Sequence, residues 1–111
     1  MIAVAGDMLD SCVREIIRVS APDRIILFGS RATGAETEGS DIDLRVIGEP
    51  SEPARWSRIA EMNRSRRSIP DLGIPVDILF FTPEEVAVYR GWINHVVAEA
   101  IRTGRVLYDR A

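Results

Sequence analysis

The sequence predicts an α/β (α+β) fold, helices packed with a small mixed β-sheet, in one domain spanning residues 1–111. Three observations carry that expectation. Residues 7–19 repeat apolar side chains at a helical period. Arg24–Phe28 is a short apolar run without alternation. Residues 41–47 alternate polar and apolar side chains, as a half-buried strand does.

Taken in order, the first helix places Leu9, Cys12, Val13, Ile16 and Ile17 on one side, with Asp7 as N-cap and Pro22 past its end. The run Arg24–Phe28 reads as a central strand buried on both faces. Thr33–Gly39 is a Gly-, Thr- and Glu-rich loop, and a helical turn can start at Ser30. In the second strand Asp41, Asp43 and Arg45 share one face, and Ile42, Leu44 and Val46 share the other. Arg45 is expected to pair with Asp43 or a neighbouring acid.

After a turn at Gly48–Pro53, a helix over Glu52–Arg67 is expected to direct Trp56, Ile59, Ala60 and Met62 to the core, with Pro70 and Gly73 breaking it. Pro75–Phe81 is a third strand, with Asp77, Leu79 and Phe81 on one face and Val76, Ile78 and Phe80 on the other. Thr82-Pro83-Glu84-Glu85 is a capping box with Pro at the first helical position, opening a short helix to Tyr89. A longer helix after Gly91 carries Ile93, Val97, Ala100 and Ile101. Gly104 is its C-cap, and Val106–Tyr108 a last short strand.

Composition narrows the function classes. With 46% hydrophobic and 28% charged residues the chain is globular rather than disordered. A net charge of −3 disfavours generic nucleic-acid binding. All 14 basic residues are Arg, which a GC-rich coding sequence would explain, and no lysine nucleophile is available. The single cysteine, Cys12, is expected in the core, which excludes an internal disulfide. With no secretory signal and no apolar span, a soluble cytoplasmic protein without membrane association is expected.

The chemistry gathers in residues 27–44. Gly29-Ser30 ends an apolar strand where a backbone can approach phosphate oxygens, and a helical turn there would add its positive end. Arg31 follows as a charge clamp. Asp41 and Asp43, at i and i+2 on one strand face, suit the hard divalent cations that accompany a triphosphate. Asp77 occupies a matching position on a later strand, as third ligand or as general base for an attacking hydroxyl. Each residue also has an ordinary use. Small residues end many strands, Asp41 after Gly-Ser suits a turn, and Asp43 and Asp77 suit a solvated sheet face. Glu36 and Glu38 in the intervening loop oppose a triphosphate by about 1 kcal/mol if exposed and screened. His95 has no second His or Cys nearby in sequence and takes no metal role. Arg64, Arg66 and Arg67 complement a helix C-terminus.

Gly29-Ser30, ten residues, Asp41-Ile42-Asp43 and a later strand with Asp77 resemble the signature of the DNA polymerase beta-like nucleotidyltransferase superfamily. The Leu-Phe-Gly-Ser-Arg-Ala start, Ser-Asp-Ile-Asp-Leu and the closing Gly-Arg-Val-Leu-Tyr resemble its minimal members, the MNT domain proteins. The resemblance implies a mixed sheet of three to five strands with helices on one face and an ATP–magnesium site on the other. It implies Gly29 and Ser30 as the phosphate motif, and Asp41, Asp43 and Asp77 as the carboxylates of two Mg2+ ions; Arg31 and Ser40 are further candidates at the nucleotide. It further implies transfer of AMP from ATP to a tyrosine of a HEPN-domain ribonuclease toxin, as its antitoxin. Alternatives are neutralisation of a partner by complex formation without catalysis, and transfer to a small-molecule hydroxyl such as that of an aminoglycoside. The latter would need a pocket at a homo- or hetero-oligomer interface.

Overall fold

In a computed structural model of the chain the structure describes residues 7–29, 41–50, 56–69, 73, 75–89 and 104–110. Among these residues the elements are α1 (Asp7–Ser20), β1 (Arg24–Phe28), β2 (Ile42–Ile47), α2 (Arg58–Ser68), β3 (Val76–Phe81), α3 (Pro83–Tyr89) and β4 (Arg105–Asp109). The sheet has the order β3-β2-β1-β4. β1 is antiparallel to β2 and β4, and β2 is parallel to β3, so the sheet is mixed as the sequence implies. The loop expected over Thr33–Gly39, the turn expected at Ser30 and the helix expected after Gly91 lie outside the described residues. No helix among the described residues is long and apolar enough to cross a membrane.

One face of the sheet carries the core. Ile25 and Leu27 of β1, Ile42, Leu44 and Val46 of β2, and Ile78 and Phe80 of β3 pack with Leu9 and Ile16 of α1. Each fully buried aliphatic side chain there contributes roughly 1.5–3 kcal/mol. Ile25, Ile26 and Leu27 are all buried, as a central strand requires. Cys12 is fully buried, and burial raises its thiol pKa, so it acts as a small core residue.

The start of α1 differs from expectation, while its end before Pro22 is as expected. Asp7 lies within the helix and is not its N-cap. The helix closes on Ala21, at φ 43°, whose N–H donates to Ile17 O at 2.9 Å, so a left-handed residue ends it before Pro22.

α2 starts at Arg58, because Ser57 is extended and its hydroxyl accepts from Ala60 N. That start turns a different stripe inward. Ile59 is 69% exposed and Ala60 is exposed, against the expectation that both face the core. Met62, and Trp56 just ahead of the helix, pack against the core as expected, but the other inward positions are Glu61 and Ser65, and Ser65 is fully buried. The Ser20 hydroxyl donates to Glu61 Oε2 at 2.6 Å and lies 3.2 Å from Ser65 Oγ, so α1 and α2 meet through a polar contact that hydrophobic periodicity cannot reveal.

The capping box forms as expected. Thr82 N donates to Glu85 Oε1 at 2.9 Å, and Glu85 N donates to Thr82 Oγ1 at 3.1 Å. Glu85 also pairs with Arg58, whose guanidinium lies over the Trp56 and Phe81 rings at 5.4 and 5.6 Å from their centroids. This arginine ties the start of α2 to β3 and to the start of α3. Burial pushes the Glu85 carboxyl up, but the bonds and charge supplied by Arg58, with the bonds from Thr82, outweigh it and leave it below 4.5. Ionised Glu85 therefore stabilises the fold above its unfolded pKa, and that contribution is lost as pH falls through the lower folded value. Glu85→Gln is expected to cost about 1 kcal/mol at pH 7, after screening of a partly exposed pair, and the deficit should vanish towards pH 3. Thermal melts of the two proteins across that range check it.

Candidate active site

The face opposite the core carries the candidate residues, and β2 runs through its middle. Asp41 stands just before β2, exposed, and Asp43 is half-buried within it. Phe28 pairs with Asp43 across the β1–β2 ladder, so the chain leaves β1 at Gly29 directly beside that carboxylate. Gly29 has φ +82°, and a Cβ built on it would lie 2.7 Å from Asp43 Oδ2. Glycine takes this backbone without strain, and any side chain here would push against the Asp43 carboxylate.

On the other side, the parallel register pairs Asp43 with Asp77. Neighbouring strands lie about 4.8 Å apart, so the two carboxylates are carried on adjacent strands and point to one side. The faces expected from the alternation of residues 41–47 and 75–81 are the observed ones. Sequence alone could not supply the strand adjacency, which depends on β3 pairing beside β2.

Asp43 is the electrostatic centre. Burial pushes its carboxyl up, the Arg45 charge pulls it down, and Asp77 and Asp41 push it up again. The net result lies above the ordinary Asp value. Arg45 is almost fully buried, and burial lowers its pKa while Asp43 and Asp77 act in the opposite sense. The expected ion pair of Arg45 does not form among the described residues. Its guanidinium instead lies over the Phe28 ring, 4.8 Å from the centroid. Phe28 projects from β1 on the same face of the sheet as Arg45, next to its ladder partner Ile26.

Asp77 is more open, its side chain 58% exposed, and Arg66 Nη2 lies 3.9 Å from Asp77 Oδ1. Arg66 belongs to α2, so the last turn of that helix reaches the third acid. No sequence signal marked this contact. Among the described residues no group of three Asp, Glu, His or Cys side chains is gathered closely enough to hold a metal ion. Asp41, Asp43 and Asp77 thus share a face without converging on one point. Their chemistry still suits a hard divalent cation: the donors are carboxylate oxygens, and Asp43 carries like-charge repulsion that a cation would relieve. Ser30, Arg31 and Ser40, the other nucleotide-binding candidates, lie outside the described residues, as do Glu36 and Glu38.

A recess of about 140 Å³ lies instead at the far end of β2, lined by Val19, Pro22, Trp56, Glu61, Arg64 and Phe80 among others. It contains none of the candidate residues. The acid face is the better candidate because it combines opposed charges with a backbone that glycine takes without strain, whereas the recess is bordered by the Ser20–Glu61 contact that joins two helices.

Two solved structures share the architecture. One is a chain from the crystal structure of a toxin–antitoxin with AMP-PNP, 20% identical, covering 88% of this chain and 71% of that one, with TM-score 0.55. The other is a Sulfolobus solfataricus protein provisionally described as a nucleotidyltransferase, 18% identical, covering 99% and 94%, with TM-score 0.55. At these identities the likeness is one of fold. No curated protein sequence matches significantly. The model of the family described as polymerase beta, nucleotidyltransferase, matches residues 12–111, a span that takes in Gly29 and all three candidate aspartates. On that match the chain belongs to the polymerase beta nucleotidyltransferase family.

Proposed function

We propose that the protein transfers AMP from ATP to a protein hydroxyl, a tyrosine of a HEPN-domain ribonuclease toxin, and so serves as its antitoxin in the cytoplasm. The observation that carries the reading is the cross-strand pairing of Asp43 with Asp77 beside a glycine backbone that abuts Asp43. Family membership supports the reaction class. The likeness to a toxin–antitoxin crystallised with AMP-PNP supports a nucleotide and a protein partner.

In this reading Gly29, Ser30, Arg31 and Ser40 hold the triphosphate, and Asp41 and Asp43, with Asp77, hold Mg2+, two ions being the family pattern. The bound metal would supply positive charge to the phosphates and the leaving pyrophosphate. The acceptor oxygen attacks the α-phosphorus, the bond to pyrophosphate breaks, and Asp77 takes the hydroxyl proton. Its exposure leaves it open to an incoming acceptor, and Arg66 beside it orients the carboxylate.

The test is incubation with α-labelled ATP, Mg2+ and a HEPN-domain protein encoded beside this one. Label should pass to the partner with the native chain and not with Asp41→Asn/Asp43→Asn. An unlabelled partner, or equal labelling by the double variant, would sink the proposal. A second reading is neutralisation by complex formation alone, favoured by the absence of a converged acid cluster among the described residues. Toxin neutralisation without ATP, and equally by the double variant, would select it.

A further inference from the structure

Arg45 is not accounted for by the chemistry above. It is 7% exposed, its Nε has no hydrogen-bond partner, and its Nη1 contact to Leu44 O is long at 3.5 Å. A buried guanidinium whose Nε donor is unmatched costs free energy that a packed aliphatic side chain would not. The Phe28 ring offsets part of this cost. What the position gives is a fixed positive charge on the acid face. It lies two residues from Asp43 on β2 and pairs across the ladder with Leu79, two residues from Asp77 on β3. Being enclosed, that charge is little screened by salt.

We propose that Arg45 is an internal counter-charge that holds down the affinity of the Asp41–Asp43–Asp77 face for a free divalent cation, so that the cation enters with the nucleotide's phosphates and not before them. This rests on the reading of those aspartates as metal ligands. A preformed positive charge balances part of the acid repulsion and opposes a second cation. The triphosphate brings the negative charge that makes cation entry favourable.

The probe is Mn2+, followed by the electron paramagnetic resonance signal of the free ion, at pH 8 without nucleotide. Arg45→Met, which fills similar space without charge, should bind Mn2+ at least about tenfold tighter than the native chain. Arg45→Lys should stay within about threefold of native. Unchanged or weaker binding by a folded Arg45→Met overturns the proposal, as does a Lys variant that shifts as far as the Met one. If Arg45→Met fails to fold in a melting experiment, the native chain decides alone. A Kd for free Mn2+ weaker than about 0.1 mM supports the proposal, and a tighter one overturns it. Asp41→Asn/Asp43→Asn separates the two levels. Native-like Mn2+ binding by that variant places the ion elsewhere and overturns the reading of the site itself. Lost binding, together with an unshifted Arg45→Met, overturns only the role of Arg45.

Discussion

Replacing Asp43 by Asn should lower nucleotidyl transfer by about 10³-fold or more while leaving the fold intact or slightly more stable. The first half follows from the place of Asp43 in the acid face. It is the middle carboxylate, with Asp41 just ahead of β2, Asp77 across the ladder and Gly29 so near that an added Cβ would meet its Oδ2. An amide keeps the shape but removes the charge that would hold a divalent cation. Three orders of magnitude correspond to about 4 kcal/mol of transition-state stabilisation, within the range for removing one preorganised electrostatic group. The second half follows from the raised pKa. Burial and two neighbouring acids make the ionised form less favourable in the folded chain than in the unfolded one, even with Arg45 nearby. That penalty applies wherever Asp43 is ionised in the folded chain, and Asn removes it. The melting temperature of Asp43→Asn should therefore equal or exceed that of the native chain at neutral pH. The difference should shrink as pH falls through the raised folded value and disappear well below the unfolded Asp value of about 3.9, where Asp43 is protonated in both states. A variant that loses activity together with its fold would show that Asp43 is structural.

The opposite behaviour of Glu85 makes the contrast useful. Glu85 gains on ionisation because a hydrogen-bonded cation and a helix start receive it, whereas Asp43 has Arg45 in its field and no hydrogen bond to it. Sequence separates the two cases in part. Thr82-Pro83-Glu84-Glu85 announces a cap, so Glu85 has a visible local partner. Asp43 sits inside a strand with no local partner, which strand propensity disfavours and a site requires.

The same division between local and long-range information explains what else was legible. Alternation placed Asp41 and Asp43 on one face, and a buried run placed β1 at the sheet centre, because both depend on residues adjacent in the chain. Periodicity places Trp56 and Met62 correctly but not Ile59 and Ala60, because the inward residues of α2 include Glu61 and Ser65, which meet Ser20 of α1. Arg45 was legible as a member of the acid face but not as a buried cation, since its burial depends on the strands on either side. The contact of Arg66 with Asp77 joins the last turn of one helix to a later strand, and periodicity holds no record of it.

Gly29→Ala should cost about 10²-fold in activity and 2–3 kcal/mol in stability, and Gly73→Ala supplies the comparison that gives those numbers meaning. Both glycines have a positive φ, +82° at Gly29 and +75° at Gly73. The left-handed backbone therefore penalises alanine similarly at each, by roughly 1–2 kcal/mol. They differ in surroundings: a Cβ at Gly73 meets nothing within 4 Å, whereas one at Gly29 meets Asp43 Oδ2 at 2.7 Å. That contact is below any normal separation, so either the carboxylate or the end of β1 must move. A shift of about 1 Å in a reacting constellation is enough for a 10²-fold loss. Gly73→Ala should therefore lose stability only, and Gly29→Ala should lose more stability and activity as well. The cause can be isolated with a cycle. In an Asp43→Ala background the clash is gone, so adding Gly29→Ala should cost no more than Gly73→Ala does, a coupling of about 1 kcal/mol by chemical denaturation. Equal stability costs in both backgrounds, with activity retained by Gly29→Ala, would mean that the strand end yields freely and that the close approach at Gly29 does not position Asp43.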